Sequence, residues 1–95
     1  MVVYSVADDE PRLAAGAGAT PIVVIDQPVG TAHPTVGIDD EAAAREAAAL
    51  LHGLGHRRVA IVSFGLVNDG ETGFADRERQ AATNYAVTRA RLAGY

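Results

Sequence analysis

The run Pro21-Ile22-Val23-Val24-Ile25 is apolar without interruption, and a strand of that pattern requires cover on both faces, as in a parallel sheet. Parallel strands cannot be joined by tight hairpins; each return needs a crossover, usually a helix. The rest of the chain alternates as that requirement predicts. Met1 to Ser5 is a short β-branched run read as the first strand. Asp8-Asp9-Glu10-Pro11 marks a helix start, with acids in the first turn and proline near the first helical position. The helix from Arg12 to about Ala17 is short because Gly16 and Gly18 weaken it. After the Pro21 strand, Asp26-Gln27-Pro28-Val29-Gly30 makes a turn and Thr35 to Ile38 a brief extended segment.

Asp39-Asp40-Glu41 opens the strongest helix, with Asp39 or Asp40 as N-cap. Glu41 and Arg45 have i,i+4 spacing in the favourable order. Ala43, Ala47, Leu50 and Leu54 form an apolar stripe whose small residues would let the helix lie close to a sheet, and Gly53 and Gly55 stop it. Val59-Ala60-Ile61-Val62 reads as the next buried strand, Phe64 to Phe74 as a loop, and helical spacing returns from about Asp76 to Tyr95. The order β-α-β-β-α-β-loop-α predicts an α/β fold, a Rossmann-like parallel sheet flanked by helices. So small a sheet, exposed at both edges, is an aggregation hazard. With a strand at residue 1 and no polar cap after Tyr95, both ends read as cuts in a larger domain.

Composition excludes several functions. At 95 residues the chain holds one small domain at most. It has no cysteine, which removes thiolate chemistry, disulfides and cysteine metal sites and fits a reducing cytoplasm. The net charge is −4, and no basic tract offers a footprint for nucleic acid. No apolar run approaches the roughly 20 residues that span a bilayer, so no membrane partner is expected.

Most short motifs read as structure. Gly16-Ala17-Gly18 follows a helix and enters a strand, the reverse of a dinucleotide fingerprint, and is a turn. Ser63-Phe64-Gly65 follows a strand but lacks the preceding glycine of a nucleophile elbow. His52 and His56 are separated by the helix-breaking Gly53 and Gly55 and suit a helix end better than a metal. Asn68-Asp69-Gly70-Glu71 is too short for a calcium loop. No metal ligands, catalytic residues or cofactor are therefore assigned. Asp26 and Arg91 are the charges of interest. Asp26 falls at the carboxyl end of a buried strand, where open α/β sheets bind ligands, although an aspartate before Gln27-Pro28 also caps a turn. Arg91 is either a pocket residue or an exposed helix residue. The common polarity of parallel strands places both on one rim.

Four stretches together carry a family likeness: Pro21 to Asp26, Val36-Gly37-Ile38-Asp39-Asp40, Leu54-Gly55-His56-Arg57-Arg58-Val59-Ala60-Ile61, and Arg91-Leu92-Ala93-Gly94-Tyr95. In this order and spacing the chain resembles the LacI/GalR family of bacterial transcription regulators, over the N-terminal subdomain of their periplasmic-binding-protein-like core. The resemblance implies that residues 1–95 are part of that subdomain, without the DNA-binding headpiece or the second subdomain. It implies a small, sugar-like effector, operator DNA bound only through the headpiece, a homodimer when full length, and no catalysis. It further implies that Asp26 accepts hydrogen bonds from the effector, that Arg91 donates to its oxygens, and that Ser5 and Gln27 line the same cleft. Val87 stands where some relatives make a polar contact, and the Phe64 to Asn84 segment is longer than in many of them. A periplasmic sugar-binding protein of the same fold and a small hydrolase using Ser63 are the rival readings.

Overall fold

The computed structural model describes residues 1–14 and 20–95. Its centre is a three-stranded parallel sheet in the order β1-β2-β3, made of β1 (Val2–Tyr4), β2 (Val23–Ile25) and β3 (Thr35–Val36). Val2, Val3 and Tyr4 face Val23, Val24 and Ile25, while Val24 and Ile25 face Thr35 and Val36. The parallel pairing agrees with the alternating pattern of the sequence. The return from β2 to β3 takes only residues 26–34, shorter than most parallel crossovers. It begins with a γ-turn, in which the Gln27 N–H donates to the Ile25 carbonyl at 3.0 Å around Asp26 at φ +75°. A cis Gln27–Pro28 bond and Gly30 at φ +72° complete the bend.

Four helices accompany this sheet among the described residues. In α1 (Pro11–Ala14) proline takes the first position. The acids before it stay outside the helix: Glu10 accepts the Arg12 N–H, Asp9 accepts from the Asn84 side chain, and Asp8 pairs with Arg89. The expected end of this helix at Ala17 and the Gly16-Ala17-Gly18 turn lie outside the described residues. α2 (Asp40–Gly53) is capped by Asp39, whose carboxylate accepts the Ala42 N–H at 2.9 Å. It ends in a Schellman motif: Gly55, at φ +93°, donates to His52, and His56 donates to Leu51. Arg57 adds a hydrogen bond to the His52 carbonyl at this negative helix end.

The region from Asp76 onward is two helices, not one: α3 (Arg77–Ala81) and α4 (Ala86–Gly94). Buried Thr83 breaks it. Its hydroxyl donates to the Leu66 carbonyl at 2.7 Å and accepts the Tyr85 N–H, so it competes for the backbone bonds a helix would use.

Packing departs from expectation in three places. The buried face of α2 carries Asp40 and Ala44, with Leu50 and Leu54 exposed, so the stripe lies one position away from the Ala43-Ala47-Leu50-Leu54 row. The partner that selects this face is α4, against which α2 packs, rather than a sheet. β2 is covered on one face only: Ile22 and Val24 are buried and Val23 is exposed. Residues 59–62 form no strand. Val59, Ile61 and Val62 are exposed, because apolar composition does not by itself supply the neighbouring backbone that a strand must pair with.

The resulting core is small: Ile22, Val24, Ala44, Leu66 and Ala86. The radius of gyration is 15.6 Å, against about 12 Å expected for a close-packed domain of this length. Val62 and Phe64 are each 97% exposed and Phe74 94%. The isolated chain is therefore expected to self-associate at micromolar concentrations, and Phe64→Ser to reduce that association. Sedimentation velocity over a dilution series checks this; a monomer at all concentrations would contradict it. No helix among the described residues is long and apolar enough to cross a membrane.

Candidate functional site

The carboxyl ends of β1 and β2 share an unusual backbone. Ser5 and Asp26, which directly follow the paired residues Tyr4 and Ile25, both have left-handed dihedrals, φ +48° and +75°. Non-glycine residues adopt such angles at a cost of order 1 kcal/mol or more, and they cluster where side chains are aimed at ligands. The backbone holds each in place: the Ser5 N–H donates to the Ile25 carbonyl at 3.0 Å and the Asp26 N–H to Val36 at 2.8 Å.

Beyond this rim lies an open cavity of about 760 Å³. Ser5, Asp26, Gln27 and Arg91 all line it. The residues that the sequence places on one edge are thus brought together from two strand ends and α4. They are not equivalent. Asp26 is half-buried, and among the described residues its carboxylate accepts no hydrogen bond, an arrangement that favours a ligand donor. Gln27 is buried and occupied. Its Oε1 accepts the Val87 N–H at 2.9 Å and its Nε2 donates to the Ser5 hydroxyl at 3.1 Å. Because Tyr85 makes no side-chain cap, Gln27 does from outside the helix what an N-cap does from within, satisfying a first-turn N–H of α4.

Arg91 donates through Nε to Asp40 Oδ1 at 2.7 Å, and Asp40 is only 7% exposed. Asp40 sits in the first turn of α2, where the helix dipole also favours its negative charge. The Asp40 hydrogen bond, assisted by the charge of Asp26, holds the Arg91 guanidinium above its ordinary pKa. With Nε committed, the two Nη groups form no hydrogen bond among the described residues and remain for a ligand.

Several lining or supporting groups carry no binding role in the sequence analysis. All three tyrosines of the chain, Tyr4, Tyr85 and Tyr95, line the cavity and supply flat apolar surface with a hydroxyl. Asp40 is legible only as a possible N-cap, since its partner is 51 residues away. The segment before α3 forms the outer wall through Asn68, Gly70, Glu71 and Thr72. Arg79 clamps it, reaching Asp69 with both Nη groups at 3.0 and 3.1 Å and Glu71 Oε2 at 2.9 Å. Val87 lines the cavity, and its polar contribution is the backbone N–H held by Gln27. Ser63 also lines it, and among the described residues no histidine or carboxylate is hydrogen-bonded to its hydroxyl.

No protein-family model matches the chain, and no solved structure does. Curated proteins do. The chain is 41% identical over 95 residues to the HTH-type transcriptional regulator Rv3575c of Mycobacterium tuberculosis, covering 98% of itself and 26% of that protein. Over 100 residues it is 36% identical to an HTH-type transcriptional regulator of Mycolicibacterium smegmatis, covering 98% of itself and 27% of that protein. It is 34% identical over 96 residues to the HTH-type transcriptional regulator IpsA of Corynebacterium glutamicum, covering 99% of itself and 27% of that protein. The chain spans about a quarter of the length of the curated relatives it matches. Its similarity is to a segment of a transcriptional regulator.

Proposed function

We propose that this chain is a segment of the effector-sensing core of a bacterial, cytoplasmic transcriptional repressor of the LacI/GalR family, and that it performs no catalysis. The observation that carries this reading is the meeting of Asp26 and Arg91 in one cavity at the carboxyl edge of a parallel sheet, where α/β folds take small ligands. The chemistry suits a polyhydroxy molecule such as a sugar. A carboxylate accepts from hydroxyls, a guanidinium donates to their oxygens, and the tyrosines offer faces to a ring. In the full-length homodimer, ligand binding would bias a two-state core whose other state is read at operator DNA by the headpiece. The three HTH-type relatives favour this over a periplasmic binding protein.

The test is calorimetry on the full-length protein with a panel of neutral sugars. Asp26→Ala and Arg91→Ala should each weaken the sugar that binds by about 1–3 kcal/mol, since each leaves a polar partner unpaired. Operator affinity without sugar should stay unchanged. Unaltered sugar affinity in both variants would overturn the assignment.

A further inference from the structure

Of the charged side chains lining the cavity, Asp26 and Glu71 are anionic and Arg91 is cationic. Arg91 does not meet the cavity as a free charge, because the nearly buried Asp40 carboxylate sits against its Nε. Glu71 is paired with Arg79, but Arg79 also holds Asp69, so one guanidinium serves two carboxylates. The cavity wall and the residues paired with it therefore set four carboxylates, Asp26, Asp40, Asp69 and Glu71, against the two guanidinium groups of Arg79 and Arg91, while the Nη donors of Arg91 form no hydrogen bond among the described residues.

We propose that this wall of the cavity selects by charge: it accepts a neutral polyhydroxy ligand and rejects the phosphorylated or carboxylated form of the same molecule, with Asp40 as the residue that sets the discrimination. The proposal rests on the effector-binding reading of Asp26 and Arg91. A hydroxyl can donate to Asp26 and accept from an Arg91 Nη group at once. A fully ionised phosphate monoester has no O–H on its phosphate to donate, so placed here that group would leave Asp26 without a donor and set two anions side by side. Sites that hold phosphate present uncompensated guanidinium or backbone N–H groups, and here the counter-charge is already supplied from behind. Asp40 is thus a positioning residue. It orients the fork of Arg91 and cancels its charge without touching the ligand.

Methyl phosphate, well above its second pKa of about 6 so that it has no O–H to donate, is the probe, titrated calorimetrically into the full-length protein and its variants. Made in the wild-type background, Arg91→Ala should bring no gain in phosphate affinity. Asp40→Asn keeps an oxygen for Nε but removes the charge, and should tighten phosphate about tenfold. The gain should vanish in the Asp40→Asn/Arg91→Ala double variant, which a merely structural role for Asp40 would not produce. Asp26→Asn, on a different element, should raise phosphate affinity in the same direction and serves if Asp40→Asn does not fold. Wild-type phosphate binding that depends on Arg91, or no tightening in either Asn variant, would overturn the proposal. If no neutral sugar binds while the phosphate ordering holds, the effector reading fails and the charge selection stands.

Discussion

Gly94→Ala is expected to destabilise the protein by about 2–3 kcal/mol, the upper part of the range for overpacking a close contact. A methyl group there would clash with the Glu41 carbonyl oxygen and lie 2.7 Å from Ala44 Cβ and 3.0 Å from the Arg45 nitrogen. Two of those three atoms are backbone inside α2, so no side chain can swing aside. α4 must lift off α2, and the Arg91–Asp40 bond across the same interface must lengthen with it. Thermal unfolding by circular dichroism should show a fall of more than about 10 °C. Gly53→Ala is the matched control. Nothing lies within 4 Å of its added methyl, and exchanging a helical glycine for alanine should gain up to about 1 kcal/mol. Equal melting temperatures for the two variants would refute this account of the interface.

The second large effect belongs to Gln27. Gln27→Leu keeps the volume and removes both hydrogen bonds, leaving the Val87 N–H and the Ser5 hydroxyl without their partner. Two part-buried bonds, one of them a helix cap, predict a loss of about 2–3 kcal/mol. Gln27→Glu retains the acceptor and places a negative charge at the start of α4, which the helix dipole favours, so it should recover about half of the loss. Urea unfolding of the three proteins distinguishes them. A leucine variant as stable as the wild type would show that the amide is not a strut.

What could be read from residues alone follows the range of the forces involved. The cap at Asp39 or Asp40, the glycine stop, the β2 strand and the parallel pairing depend on neighbours in sequence or on a repeating pattern; the structure has them, with Asp39 as the cap, Gly55 as the stop, Gly53 inside α2 and the strand shortened to Val23–Ile25. Asp26 reaches the cavity because it follows β2 at the carboxyl edge of the sheet, as the strand polarity requires, whereas Arg91 arrives on α4, held by Asp40, and not by way of the strand expected at residues 59–62. Residues 59–62 failed for the complementary reason. Apolarity records what a segment prefers to be covered by and says nothing about whether a partner is there. The α2 stripe was displaced by one position because alanine is abundant on all sides of that helix, leaving glycine and alanine shape, not hydrophobicity, to choose the face. Asp40 and Gln27 act through partners 51 and 60 residues away, and no local rule marks them.

The reach of α4 has a consequence for the order in which the molecule is made. This helix and the residues leading into it bond to Asp8, Asp9, Gln27 and Asp40, all in the first half of the chain. A ribosome releases those partners long before it releases α4, so the nascent sheet waits with its carboxyl rim open and Gln27 unengaged. Closing loops of this length is slow compared with forming α2, whose backbone bonds are all local. The cavity therefore forms only after the sheet and α2, and a chain interrupted before Ala86 would hold the Asp26 carboxylate with no guanidinium to face it.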